Sequence, residues 1–158
     1  MKLAITKSNA TNIVQGMFIN RAGLATNELT VSHNLTGIVL FVDDKFVYVD
    51  TGKEFCGDTD ECLKHVHGGE IPDTAQLKTI SRYAHVINDR CHFLNWPTWD
   101  NWYWGDALYG ASSADGKPSE AVNLCNGATG WPHQSKDTRG NLLIPKAKVR
   151  IIKRIPLK

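Results

Sequence analysis

With 158 residues, ordinary apolar content and a net charge of +2, the chain fits one domain and can bury a core without covalent staples. That charge balance excludes the clustered basic face of a nucleic-acid binder, and no apolar run is long enough to cross a bilayer. The opening Met1-Lys-Leu-Ala-Ile-Thr-Lys-Ser-Asn-Ala breaks its apolar stretch too early for a secretion signal, so residence in a cytoplasm is expected unless the chain is a fragment or leaves inside a particle.

Residues 1–35 are rich in Asn, Thr and Ser, with short apolar pieces at Ile13-Val14 and Met17-Phe18-Ile19. They read as an irregular arm with one or two short strands, belonging to the core or reaching a partner. Thr36–Val42 is a strand whose unbroken apolar run implies cover on both faces. Asp43-Asp44-Lys45 is turn chemistry, and Phe46–Asp50 completes a hairpin. A short helix follows, capped by Asp58 or Thr59, with Cys62, Leu63 and Val66 on one side and Gly68-Gly69 at its end. Asp73 with Gln76 forms a variant capping box, and Leu77, Ile80, Ala84 and Ile87 make the buried stripe of a second helix. From Asn88 to about Glu120 prolines, glycines and aromatics replace regular patterning, which marks a long loop with a job. Ala121–Cys125 is a strand, Asn126-Gly127 a turn, then a polar loop and a final strand over Ala147–Ile155. Lys146, Lys148, Arg150, Lys153 and Arg154 alternate with Val149 and Ile151, as the wet face of that strand would.

Four of the five tryptophans fall within Trp96–Trp104, together with a tyrosine, an aspartate and an asparagine. Aromatics at alternating and adjacent positions cannot all face one core. Either several rings stack on a surface that meets a sugar or protein, or they wedge a loop onto a small sheet. Trp99, Asp100, Asn101, Trp102 and Tyr103 are the candidate ligand-binding residues, and Tyr109 and Trp131 extend the surface. Trp96 and Trp104 are assigned to packing.

Other constellations are weaker. Cys56, Cys62, His65 and His67 lack a zinc spacing, and the two histidines point about 200° apart around a helix. Cys91 and His92 are adjacent, which turns them apart on an extended chain. No nucleophile elbow or phosphate-binding glycine loop is present. No catalytic residue, metal or cofactor is assigned. The four cysteines permit two disulfides without requiring them, and their pairing stays open.

Several strings fit a family when taken in order. The segment Cys62–Leu77 resembles a helix ending in Gly-Gly followed by a Leu-Pro-Thr-like cap and a second helix. Trp96-Pro97 with Tyr103-Trp104, Ala121-Val-Asn-Leu-Cys-Asn-Gly127 and Val149-Arg-Ile-Ile-Lys-Arg154 resemble its later segments. The family is the bacterial and phage branch of the C-type lectin-like fold, including the tip modules of intimin- and invasin-type adhesins. The resemblance covers residues 36–158. It implies an α+β fold with two short helices packed on small antiparallel sheets beneath a long aromatic loop region. It does not extend to the calcium-dependent sugar binders, since Trp99-Asp100-Asn101 reverses the last two residues of their Trp-Asn-Asp strand. Nor does it extend to the formylglycine-generating branch, whose cysteine motif Cys91 and Cys125 lack.

The function expected from this reading is a non-enzymatic recognition module of a phage particle, a tail or head appendage made in the host cytoplasm. Its 1–35 arm would hold a capsid or tail protein. Its 36–158 domain would bind a bacterial surface glycan or outer-membrane protein through the aromatic loop. The alternative is a capsid decoration or tail structural protein with no receptor. A fragment of a larger adhesin would instead sit on the bacterial cell surface. No nucleic-acid partner or membrane insertion is expected, and the oligomeric state is left open.

Overall fold

The computed structural model describes residues 1–29, 31–58, 61–62, 64, 69–105, 121–130, 138–140 and 147–158. The sheet is built outward from the hairpin of β4 (Leu35–Val42) and β5 (Phe46–Gly57), which pair antiparallel with Ile38 opposite Asp50. Asp43 closes the turn. Its carboxylate accepts the backbone N–H of Lys45 at 2.8 Å and of Phe46 at 2.7 Å, and the Tyr48 hydroxyl at 2.8 Å. Along β4, Ile38 and Leu40 enter one core and Val39 the other. The unbroken apolar run therefore has both its faces covered.

Residues 1–35 are not a free arm. They form β1 (Lys2–Ala4), β2 (Phe18–Asn20) and β3 (Leu24–Thr26), which extend the sheet from β4, with short 3-10 turns at Lys7–Asn12 and Ser32–Asn34. The Lys7 N–H donates to the Lys158 carbonyl at 3.0 Å, and the Lys158 N–H to the Ile5 carbonyl at 3.3 Å. Those bonds bring the start of the chain against its end. Ile5, Met17, Ile19, Val39, Val49 and Leu157 pack together in one buried core.

β5 runs past Asp50 and pairs antiparallel with β9 (Ala147–Pro156) on both sides of a bulge. Asp50 stands opposite Ile152 and Glu54 opposite Arg150, so Thr51, Gly52 and Lys53 together face Ile151 alone. Gly52 makes the bulge possible: its φ is +79°, and the Trp96 ring lies where a Cβ would stand. Beyond β9 come β6 (Trp102–Trp104), β7 (Ala121–Asn123) and β8 (Thr129–Gly130). β8 falls where the sequence suggests a polar loop. β6 lies parallel to β9, with Tyr103 opposite Lys148, and the other pairings are antiparallel.

Among the described residues this is one nine-stranded mixed sheet of order β1-β3-β2-β4-β5-β9-β6-β7-β8. It overturns the α+β, C-type lectin-like expectation of small antiparallel sheets. The physical reason is the long β5–β9 ladder, which continues through its bulge and joins what two small sheets would keep apart.

Two helices cover part of one face: α1 (Thr74–Arg82) and α2 (Ala84–Leu94). The capping box forms. Asp73 accepts the Gln76 N–H at 2.7 Å, and the Gln76 side chain accepts the Asp73 N–H at 2.9 Å. The expected stripe is buried at Leu77, Ile80 and Ile87, and Cys91 continues it. It is split between two helices, however, because Tyr83 leaves the helical region (φ −114°, ψ 9°) and its N–H bonds the Ile80 carbonyl three residues back. Of the earlier short helix, Glu61 and Cys62 are helical, and Asp58 accepts the Glu61 N–H at 2.9 Å. Thr59, Leu63, Val66 and Gly68 lie outside the described residues.

Candidate functional site

The aromatic segment begins where α2 ends. Asn95 takes the left-handed conformation (φ 58°) that closes a helix, and its N–H reaches the carbonyls of Cys91 and His92. The chain then folds back over the sheet. Asn88 fastens it with both ends of its amide: Oδ1 accepts the Trp99 N–H at 2.7 Å, and Nδ2 donates to the Trp99 carbonyl at 3.0 Å.

This fastening turns the rings inward. Trp99 is 1% exposed and Tyr103 fully buried, both within the core under the helices. Trp104 is 1% exposed in a separate cluster with Cys62, Ala147 and Val149, and its Nε1 donates to the Gly57 carbonyl at 3.0 Å. The Trp99 and Tyr103 rings thus cannot be presented to a ligand, which corrects their assignment as surface binders. The tip between them stays outside. Asp100 and Trp102 are half-buried and Asn101 is exposed, with φ 58°. Asp100 is ion-paired with Lys148, and the Asn101 carbonyl accepts the Leu124 N–H at 2.7 Å. Tyr109 and Trp131, the other two candidates, lie outside the described residues, as do His65 and His67.

Sequence reasoning missed what holds the rings. Asp50 and Arg150, both 0% exposed, form a buried ion pair: Nε donates at 2.9 Å to Oδ1 and Nη2 at 2.7 Å to Oδ2. Trp99 Nε1 donates to the same carboxylate at 2.8 Å, and the Trp99 ring stacks with the guanidinium 4.8 Å from its centroid. Arg150 Nη1 reaches Glu54 at 3.1 Å, and Glu54 accepts the Tyr103 hydroxyl at 2.5 Å. Arg150 therefore does not lie on a wet face, as its alternation suggests. The face it shares with Ile152 is covered by α2 and the aromatic segment, whereas Lys153 and Arg154 are exposed and Lys146 lies outside the described residues. Asp50 gave no signal beyond ending an apolar strand, and its partner is 100 positions away.

The buried charges of this cluster hold one another. Burial opposes the Arg150 charge, but the Asp50 carboxylate outweighs it and raises the pKa, so the guanidinium stays ionised. Burial, with the Asp50 charge adding to it, pushes the Cys91 thiol up to about 12. A thiol held protonated at neutral pH is a poor nucleophile. Burial and then Glu54 raise the Tyr103 hydroxyl as well. Among the described residues every buried side-chain nitrogen and oxygen has a hydrogen-bond partner, and no three His, Cys, Asp or Glu side chains gather to hold a metal. All four cysteines are free thiols, Cys62 and Cys91 buried, Cys56 and Cys125 exposed.

A second feature is an open groove of about 720 Å³ beside the β5 bulge. Thr36, Thr51 and Lys53 line it from β4 and β5, Ile151 to Arg154 from β9, and Gly69 and Glu70 from the segment bridged to Ile152. Arg154 binds Glu70 through Nε at 2.5 Å and Nη2 at 2.6 Å. Its guanidinium lies over the Phe46 and Tyr48 rings at 5.0 and 5.6 Å. Among the described residues no helix is long and apolar enough to cross a membrane. No protein-family model, curated protein or solved structure matches the chain.

Proposed function

We propose that the chain is a non-enzymatic recognition module carried on a phage particle, binding a bacterial surface glycan or protein. The observation that carries this reading is the rigid mounting of the Asp100–Trp102 tip. Trp99 is pinned by Asn88 and Asp50 on one side, Tyr103 by Glu54 on the other, and the tip carbonyl by Leu124. A surface loop held this firmly loses little entropy on binding. The groups best suited to chemistry, Cys91, Arg150, Asp50 and Tyr103, are engaged with one another inside, which favours a scaffold over a catalyst. The phage setting carries over from the reading of the sequence.

A second reading, a capsid decoration or tail structural subunit, draws on the sheet's edge. Among the described residues β1 pairs only with β3, and Met1, Leu29 and Val31 are exposed. An uncovered edge strand with apolar neighbours suits a subunit contact. The deciding experiment is binding of labelled protein to whole bacterial cells, wild type beside Trp102→Ala and Asn101→Ala. Saturable binding lost in the variants, with native circular dichroism, supports recognition through the tip. Absence of binding by folded wild-type protein overturns it in favour of the structural subunit.

A further inference from the structure

The groove beside the β5 bulge carries more charge than its surroundings use. Three of its lining residues are cationic (Lys53, Lys153 and Arg154) and one, Glu70, is anionic. Arg154 and Glu70 neutralise each other, while the exposed ammonium groups of Lys53 and Lys153 have no ion-pair partner among the described residues. Two uncompensated positive charges therefore line one open groove, on a chain whose whole net charge is +2.

The shape narrows the occupant. About 720 Å³ is far more than a single inorganic anion fills and lies in the range of sites for multi-ring ligands. Peptide addition to the β9 edge is closed at this point, because Ile152 already exchanges both backbone hydrogen bonds with Glu70, at 2.8 and 3.3 Å. The remaining recognition is by side chains. Ammonium donors suit an anionic group, and the fixed Glu70 carboxylate, with the Thr36 and Thr51 side chains along the same groove, suits the hydroxyls of a sugar.

We propose that this groove is a binding site for an acidic saccharide, its anionic group held between Lys53 and Lys153. This deepens the recognition reading and rests on it for its biological setting. The bulge is what creates the site: Thr51–Lys53 stand opposite Ile151 alone, and this extra length puts Lys53 on the groove wall.

The test is calorimetric titration of the full chain at about 0.1 M salt, where the Debye length is about 10 Å. Its three probes are oligogalacturonate, a phosphorylated oligosaccharide and a neutral maltooligosaccharide, all of similar length. Binding of either acidic probe and not the neutral one is expected, and the two acidic arms tell carboxylate from phosphate. Lys53→Ala/Lys153→Ala should weaken it by roughly tenfold or more, since both ammonium groups proposed to hold the anionic group are removed. Lys7→Ala/Lys78→Ala removes the same charge elsewhere on the surface and should leave binding within about twofold, because charges beyond a Debye length are screened. Equal loss in both double variants, equal binding of the neutral probe, or no acidic binding by folded wild type overturns the groove. The cell assay separates the two readings. Cell binding that survives in Lys53→Ala/Lys153→Ala and is not competed by the acidic probes sinks the groove alone. Saccharide binding without cell binding sinks recognition at the cell surface alone.

Discussion

Replacing Arg150 by methionine tests the central claim that a buried ion pair organises the aromatic segment. Methionine keeps an unbranched stem of similar length and removes the charge. Arg150 is fully buried and gives Asp50 two hydrogen bonds, Glu54 one and the Trp99 ring its cation. After substitution Asp50 retains the Trp99 Nε1 and Gly52 N–H donors, each at 2.8 Å, but no counter-charge. Leaving one member of a buried pair uncompensated costs about 3–5 kcal/mol. That is a large part of the ~5–15 kcal/mol typical of a domain. Urea unfolding followed by tryptophan fluorescence measures it, as a lowered midpoint at unchanged slope. The double variant Asp50→Asn/Arg150→Met removes both charges and should recover about 1–3 kcal/mol of the loss, the coupling typical of contacting residues. A cost below about 1 kcal/mol for Arg150→Met, or a double variant no more stable than the single, would refute the reasoning.

Other outcomes follow from the same geometry. Gly23→Ala and Gly52→Ala both place a side chain at positive φ, but the Cβ meets nothing within 4 Å at Gly23 and the Trp96 ring at 2.6 Å at Gly52. Gly23→Ala should cost about 1–2 kcal/mol and Gly52→Ala about 1–3 kcal/mol more, and equal losses would contradict the bulge packing. Two thiols, Cys56 and Cys125, should react rapidly with a disulfide reagent in the native state and all four in denaturant; fast labelling of a third native thiol would count against the burial of Cys62 and Cys91. Burial pushes both buried thiols up to about 12 from 9.0, so the unfolded chain releases these protons first. Their contribution to stability is complete below pH 9.0 and lost as pH rises to about 12, so melting temperature should fall across that window; a flat profile would contradict it. Asp73→Ala removes half the capping box and should cost about 1 kcal/mol in the same urea titration.

The sequence by itself determined the pieces whose signals are local. The Asp43 turn, the doubly covered β4, the Asp73–Gln76 cap, the Leu77–Ile80–Ile87 stripe and the final strand each depend on residues a few positions apart. Periodicity and capping report the backbone conformation of their own segment. They do not report which element lands on a face. Lys148-Val149-Arg150-Ile151 alternates as a strand with a solvated side does, yet Arg150 is enclosed because Trp99 and α2 come to lie over it, and its countercharge sits 100 residues earlier. The aromatic run was equally ambiguous. Its composition allowed rings outward or inward, and the choice fell to Asn88, Asp50 and Glu54, none adjacent to it in the chain. The nine-stranded order was likewise a tertiary decision. It required residues 1–35 to pair with β4 and the β5–β9 ladder to run through its bulge, and backbone hydrogen bonds between distant segments leave no mark in the pattern of either segment alone.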